Sequence, residues 1–207
     1  MSEVKTKKGA GCLGCTMVGI PVGIILIILL ITAWMSYNGM VSKEEVVNSQ
    51  WAQVENTYQR RADLIGNLVE TVKGYASHER GTLTDVIEAR AKATSVNIDP
   101  TSITDDNIKQ FEQVQKSLSS AFSKLMVVVE RYPDLKANQN FLSLQGQLEQ
   151  IENTILVERR KFNEQARVYN TYIRKFPKNL FAGMFDFEPK AYFKAKEGAD
   201  EVPKVKF

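Results

Sequence analysis

Several polar side chains that could do chemistry lie close together in one stretch of this 207-residue chain, residues 60–79. Within it Asp63, Asn67 and Glu70 recur at spacings of four and three, which places them on one face of a helix. Carboxylate and amide oxygens in that arrangement could bind a ligand or a metal ion. Alternatively, they pair with polar residues across a helical bundle, where buried ion pairs fix the packing without adding much stability. We expect the second, structural role.

The candidate structural cluster extends to polar residues late in the chain. Arg159, Asn163 and Arg167 supply partners that the face around Asp63 would need. Removing one partner of a buried ion pair in such a cluster would cost about 3–5 kcal/mol. The cluster that we predict comprises Arg60, Arg61, Asp63, Asn67, Glu70, Glu152, Asn153, Arg159 and Asn170.

Nucleophiles and soft metal ligands are scarce. The chain has one histidine, His78, and two cysteines, Cys12 and Cys15, in a C-x-x-C pair. A zinc site needs two further ligands, and none lies nearby in the sequence. This inventory argues against disulfide scaffolds and against Cys-His or Ser-His-Asp catalysis. We therefore expect no catalytic residue, no cofactor and no metal site, and we interpret the cysteines as thiols at a membrane edge, either free or acylated.

The overall charge gives no support for binding nucleic acid. Lysine and arginine number 27 against 24 acidic residues, for a net charge of +3. Basic residues do concentrate between Arg159 and Lys178, with aromatic residues among them. Those aromatic residues recur at heptad spacing, so they are expected to face a core while the charges face solvent. We predict no nucleic-acid partner.

A long uncharged run near the N-terminus predicts a membrane span. The 34 residues between Lys8 and Lys43 carry no charge, and Met17–Met35 supply the roughly 20 apolar residues that a spanning helix needs. A cleaved signal peptide has a shorter apolar core of about 7–15 residues and a small-residue cleavage site, which Thr32–Met35 does not provide. We predict a short basic tail over 1–16 and an uncleaved transmembrane helix over 17–37, whose partner is the lipid bilayer.

Basic residues on either side of the span indicate its orientation. Lys5, Lys7 and Lys8 precede it, whereas Lys43 alone follows it before Arg60. The positive-inside rule then predicts a single-pass protein of the cell (inner) membrane, with a cytoplasmic N-terminus and an extracytoplasmic body.

The body, residues 42–176, shows helical periodicity throughout. Apolar residues recur at spacings of three, four and seven from Val47, a second series follows the candidate N-cap Thr104, and a third begins near Asn138. No segment alternates as a strand does. The predicted fold is all-α: an N-terminal transmembrane helix followed by a long antiparallel helical bundle.

The number of bundle helices depends on residues 77–81. If the first helix runs unbroken from 43 to 95, the bundle has three long helices; if it breaks near Ser77–Gly81, it has four. Glycine costs only about 1 kcal/mol inside a helix, and the apolar stripe can be followed past Gly81, so we slightly favour the unbroken rod. The rod leaves the C-terminus at the end of the bundle far from the membrane, whereas the break returns it to the membrane.

The C-terminal segment, residues 177–207, is rich in aromatic residues and has no periodic element to bury them. Such a patch predicts docking onto the bundle, the membrane interface or a partner. The candidate docking surface comprises Phe181, Phe185, Phe187, Tyr192 and Phe193.

Several motifs resemble those of one family. Arg60–Glu79, RRADLIGNLVETVKGYASHE, together with Tyr37–Val41 and Phe176–Leu180, is similar to the pattern of the LemA family of bacterial membrane proteins. Gly66 departs from that pattern, which usually has proline there. The resemblance implies a single-pass helical membrane protein without an established enzymatic activity. We predict a non-enzymatic scaffold or accessory protein that presents its bundle to a protein partner or to itself. The alternative is a ligand sensor or enzyme that uses the polar face Asp63–Glu79.

Overall fold

The computed structural model describes the backbone of residues 13–194 and the side chains of residues 20–194. Within that range the chain is all-α, as predicted, and contains no strand. Its helices are α1 (Leu13–Tyr75), α2 (Arg80–Ser95), α3 (Asp105–Val129), α4 (Pro133–Lys136), α5 (Gln139–Arg174) and α6 (Lys178–Met184). Residues 1–12 of the predicted basic tail and both thiol side chains lie outside the described residues and side chains, whereas the backbone of residues 13–16 already belongs to α1.

Helix α1 joins the apolar run to the bundle without a break. It has 63 residues, so it is about 95 Å long at 1.5 Å per residue. The large apolar side chains from Ile20 to Met35 are exposed, and burial begins at Ser36 and Met40. Among the described residues, α1 is the one helix long and apolar enough to cross a membrane. The apolar run therefore extends beyond the packed bundle as a continuation of its longest helix.

The preference for an unbroken rod is wrong. Helix α1 ends at Tyr75, a turn covers Ala76–Glu79, and α2 begins at Arg80. The turn lets α2 fold back, which buries Leu83 and Val86 in the same cluster as residues of α1 and α3. A straight rod would have left that part of the stripe without a packing partner. The four-helix alternative, formed by α1, α2, α3 and α5, is the observed one.

The starts of α3 and α5 match the sequence prediction. The Thr104 hydroxyl accepts a hydrogen bond from the Asn107 backbone N–H at 3.2 Å. The Asn138 side-chain oxygen accepts from the backbone N–H groups of Asn140 and Phe141 at 2.9 and 3.1 Å. Both side chains satisfy donors that the first turn of a helix leaves free, which is why these helices begin there.

Two apolar clusters fill the bundle, and we name them by their distance along α1 from the apolar run. The distal core lies between the far ends of α1, α2 and α3, α4 and the first half of α5. The proximal core lies nearer the run and includes residues of the C-terminal segment. Because α5 returns the chain towards the apolar run, the C-terminal segment lies at that end of the bundle. The expectation that accompanied the rod, a C-terminus at the far end, is therefore wrong as well.

Candidate functional site

The residues of the predicted polar cluster do not form one site. Asp63 accepts a hydrogen bond from the Arg90 guanidinium at 2.9 Å, whereas Glu70 forms an exposed pair with Lys73 at 3.5 Å. The side chains that face solvent include Arg60, Asn67, Asn153 and the lone histidine His78. The carboxylates of the alternative, ligand-binding interpretation are thus divided among separate ion pairs.

Arg61 is one of two buried members of the cluster, with 4% of its surface exposed; Asn170 is the other. Its Nη1 donates to Glu152 Oε1 at 3.0 Å, and its Nη2 donates to the side-chain and backbone oxygens of Gln115 at 2.9 and 3.1 Å. Gln115 in turn donates to the Ala93 carbonyl at 3.3 Å. We call these residues, Arg61, Gln115 and Glu152 with the Ala93 carbonyl, the polar layer. It joins α1, α2, α3 and α5 between the two cores.

Gly66 lets a second arginine approach α1. Arg90 Nε donates to the Ala62 carbonyl at 2.8 Å, and a Cβ built on Gly66 would lie 3.0 Å from that Nε. In a regular helix the same carbonyl accepts from the N–H of residue 66. A proline at 66, the residue that the family pattern usually has, would remove that N–H and place its ring against both the Ala62 carbonyl and Arg90, so the glycine permits this contact.

Arg159 connects α5 to α3 and to the C-terminal segment. It forms an ion pair with Glu112 and donates to the Lys194 carbonyl at 3.3 Å. Its guanidinium also lies over the Phe193 ring, 4.4 Å from the ring centroid. A cation over an aromatic face is attracted by the negative potential of the ring, so Arg159 helps to cover the docked segment.

Two asparagines of α5 bind the backbone of the C-terminal segment. Asn170 donates to the Lys190 carbonyl and accepts from the Lys190 N–H, both at 2.8 Å. Asn163 does the same for Phe193, at 2.8 and 2.9 Å. Seven residues of helix rise about 10.5 Å and three extended residues about 10 Å, so the two spacings match. We call residues 190–193, held by these asparagines, the C-terminal clasp.

Lys190 fixes the clasp to the other helices, and the sequence analysis missed it. Its side chain is only 2% exposed; its Nζ lies 2.6 Å from Glu44 Oε1 of α1 and also donates to the Thr101 carbonyl. The sequence alone does not indicate which of the lysines is buried and paired. The signal that could have found the clasp is the heptad spacing of Asn163 and Asn170, each directly after an aromatic residue of the apolar stripe.

Tyr169 lies beside this buried pair. Burial, with the nearby carboxylates of Glu44 and Glu188, raises the pKa of its phenol well above the ordinary value. The hydroxyl is buried and has no hydrogen-bond partner among the described atoms. Because the surroundings oppose ionisation, Tyr169 is a neutral packing residue here and not an acid or base at neutral pH.

The predicted docking surface is divided between core and solvent. Phe193 is buried and stacks near Trp51, with ring centroids 5.8 Å apart. Phe181 and Phe187 are half-buried, whereas Phe185 and Tyr192 are exposed by 42% and 37%. The segment docks onto the bundle's own helices, on the side next to the apolar run.

Tyr37 marks where this docking takes place. Its ring packs edge-on against Phe185 and Phe187, with centroids 5.1 and 5.7 Å apart. Tyr37 lies two residues after Met35, the end of the apolar run.

Two hollows on the described surface are large enough to consider as binding sites. A polar cleft of about 300 Å³ is lined in part by Glu55, Asn56 and Gln59, and burial raises the pKa of Glu55. A shallow groove of about 660 Å³ follows the basic side of α5 near Arg160 and Tyr192. In the part of the chain that the structure describes, no three His, Cys, Asp or Glu side chains are grouped so that they could hold a metal ion.

Comparison with known proteins gives a consistent result. The model of the LemA family matches residues 50–207, most of the chain. Magnetosome protein MamQ 2 of Paramagnetospirillum magneticum is 24% identical, over 97% of this chain and 79% of its own length. Magnetosome protein MamQ of Magnetospirillum gryphiswaldense is 25% identical, over 84% and 71%. Protein LemA of Metamycoplasma hominis is 24% identical, over 77% and 69%.

Proposed function

Because the chain belongs to the LemA family, we propose that it is a membrane-anchored, non-enzymatic helical scaffold. Its bundle is presented to a protein partner or to a second copy of the chain. The observation that carries this proposal is the continuity of α1, which runs from the exposed apolar residues into both cores without a break. Because one continuous helix forms both the span and part of the bundle, the bundle stays at a fixed distance from the bilayer. Such an arrangement suits a protein that holds partner proteins at the membrane.

The use of the polar residues supports a scaffold over a sensor or an enzyme. Asp63, Glu70 and Glu79 are each engaged with a basic residue, at 2.9, 3.5 and 2.9 Å respectively. The buried polar groups join helices to one another. Neither LemA nor MamQ, the names of the relatives, is the name of an enzyme.

The aromatic residues of α5 support a partner other than nucleic acid. Phe162 and Tyr169 are fully buried in the proximal core. Bases bind to proteins by stacking on exposed rings, so these two are not available for that purpose.

For the membrane itself, we propose the cell (inner) membrane with the N-terminus in the cytoplasm. The basis is the excess of Lys5, Lys7 and Lys8 over Lys43. The family resemblance and the exposed apolar run of α1 favour a membrane location.

Thiol labelling tests the orientation. Ser143, exposed on α5, is changed to cysteine after Cys12 and Cys15 are replaced by serine. We expect a membrane-impermeant maleimide to label residue 143 on intact spheroplasts. The matched control is the native chain, whose cysteines precede the span and should react only after the membrane is opened. The reverse pattern would contradict the orientation and leave the anchor in place.

Photocrosslinking in intact cells tests the scaffold role. Val127 on α3 and Leu156 on α5 are 70% and 64% exposed, so a photoreactive amino acid is placed at each. We expect a discrete adduct with another protein or with a second copy from at least one of them. The control is Ser117, an exposed polar position on α3, which should give no discrete adduct. A chain that forms no protein adduct from either apolar position would refute the proposal.

A further inference from the structure

Helix α6 presents apolar side chains to the outside. Leu180 and Met184, one turn apart, are 58% and 72% exposed, and Phe176 just before the helix is 80% exposed. The other side of α6 packs on the proximal core through Ala182 and Phe181. Two large apolar residues of α6, and Phe176 just before it, are thus exposed to solvent although the helix itself packs on the bundle.

The position of α6 identifies what covers this surface. The segment that begins with α6 packs against Tyr37, and Tyr172 of α5 lies against Gly39, where an added Cβ would overlap the Tyr172 hydroxyl. At 1.5 Å per residue, Tyr37 is only about 3 Å along α1 from Met35. Helix α6 therefore lies close to the end of the apolar run, at the level where the span would leave the bilayer.

Basic groups surround the same place. Lys43 and Lys178 both lie over the Tyr172 ring, 5.1 and 3.7 Å from its centroid, and Arg174 and Lys175 are exposed beside α6. Within residues 20–194, none of these four cations forms an ion pair with a carboxylate group. Asp186 and Glu188 follow the helix, so the local charge is mixed with a basic excess. Apolar residues flanked by lysine and arginine are typical of segments that bind at a membrane surface.

We infer that α6 is an interfacial membrane anchor: Phe176, Leu180 and Met184 insert into the lipid surface beside α1, and Lys175 and Lys178 lie at the headgroups. This inference rests on the proposed membrane span. A single spanning helix leaves its bundle free to rotate about the helix axis and to tilt. A second contact beside it restricts both motions, so the face that the bundle presents is determined by the bilayer.

Quenching by lipid tests the inference in the full chain. Single cysteines at Leu26, Leu180 or Leu142 are made with Cys12 and Cys15 replaced by serine, and each is labelled with a polarity-sensitive fluorophore. The proteins are placed in nanodiscs of phosphatidylcholine with a minority of phosphatidylglycerol. The label at 26 reports on the span and the label at 180 reports on α6. The label at 142 is the control, because Leu142 is an exposed leucine at the end of α5 that lies away from the apolar run. Met184→Cys is a second probe of α6.

The expected result is quenching at 26 by nitroxides deep in the bilayer, quenching at 180 and 184 by nitroxides near the headgroups, and no quenching at 142. Quenching at 26 without quenching at 180 and 184 overturns the inference and leaves the anchor of the proposed function intact. No quenching at 26 refutes the span on which both rest. A label at 180 that is shielded from aqueous iodide but not quenched by lipid would assign the surface to a protein or a second copy, against the inference.

Serine substitutions show whether the apolar side chains cause the contact. Phe176→Ser with Met184→Ser should abolish lipid quenching of the label at 180. Val127→Ser with Leu156→Ser, equally exposed but outside this surface, should leave it unchanged. Persistence of quenching in the first pair would mean that the side chains named here do not bind the lipid.

Discussion

The two cores of the bundle differ in composition. The distal core is almost entirely aliphatic, and Phe141 is its one fully buried aromatic residue among those described. The proximal core contains six buried aromatic residues: Trp51, Tyr58, Phe111, Phe162, Tyr169 and Phe193. The ring of Trp51 lies 5.3–5.8 Å from those of Phe111, Phe162 and Phe193. The proximal core is also the one that takes a buried ring, Phe193, from a non-helical segment.

The cores also differ in how far apart their residues lie in the sequence. The distal core draws on residues 62–151, largely from successive helices. The proximal core needs residues from Met40 to Phe193, so it is complete only when the C-terminal clasp docks. A segment held by a few hydrogen bonds and one buried ring opens more readily than the helices beneath it. The comparison therefore predicts that the proximal core opens locally and the distal core does not.

The largest expected effect comes from removing the central ring of the proximal core. Trp51→Ala should lower the free energy of unfolding by about 3–5 kcal/mol, and Leu148→Ala in the distal core by about 2–5 kcal/mol. Both lose transfer free energy and leave a cavity, and the tryptophan is the larger side chain. Thermal unfolding of the full chain in detergent, followed by circular dichroism, measures both. Unchanged melting curves would show that these residues do not form the cores.

The next effect concerns the clasp. Asn170→Ala removes both hydrogen bonds to Lys190 and one to the Tyr192 hydroxyl. This should lower the free energy of opening of the segment by about 1–3 kcal/mol. Hydrogen exchange by mass spectrometry should then accelerate in residues 187–194 and stay unchanged in the distal core.

The control for the clasp is Asn153→Ala, which changes an exposed asparagine of the same helix. It should leave exchange unaltered in both cores. Equal acceleration in the distal core of the Asn170 variant would mean that the two cores open together, against the comparison.

The polar layer that separates the cores should show an effect of similar size in one variant and a smaller one in another. Gln115→Leu removes a buried partner of Arg61 and should cost about 1–3 kcal/mol. Glu152→Gln removes the charge of a carboxylate that is 54% exposed and leaves an amide oxygen that can still accept from Arg61, so it should cost at most about 1 kcal/mol. Denaturant titration of the two variants measures the order. A greater loss for Glu152→Gln would mean that the ion pair, and not the buried amide, holds this layer together.

The smallest expected effect is an increase in the free energy of unfolding. Tyr169→Phe removes a buried hydroxyl that has no partner, so it should be neutral or stabilising by up to about 1 kcal/mol. Tyr132→Phe is the matched control in the distal region, where the hydroxyl donates to Glu79 at 3.2 Å. That variant should lose about 0.5–1.5 kcal/mol.

The same tyrosine predicts a dependence on pH. The pKa of Tyr169 is raised in the folded chain, so the phenol ionises more readily in the unfolded chain. Its contribution to stability is complete below the ordinary tyrosine pKa of about 10 and is lost as the pH rises above it. The free energy of unfolding, measured at increasing alkaline pH, should therefore decline less steeply for Tyr169→Phe than for the native chain. Identical slopes would contradict the assigned pKa direction.

The sequence by itself determined the parts of this protein that depend on neighbouring residues. The apolar run, the helical stripes, the cap Thr104, the start of a helix near Asn138 and the family motif around Arg61 are local patterns. Each follows from periodicity or from backbone donors within a few residues, so no tertiary information is needed. Trp51, four residues after Val47 on the first stripe, is buried as that spacing predicts.

Only the tertiary structure decided where α1 ends and what the polar residues contact. Gly74 and Gly81 disfavour a helix by only about 1 kcal/mol each, so the turn at Ala76–Glu79 depends on the surfaces that α2 buries when it folds back. The partners of Asn170 and Lys190 likewise come from distant segments, Glu44 among them. A local pattern such as the heptad spacing of Asn163 and Asn170 can mark residues that need partners, but it does not identify the partners, because the free energy that selects them exists only when all the helices are assembled.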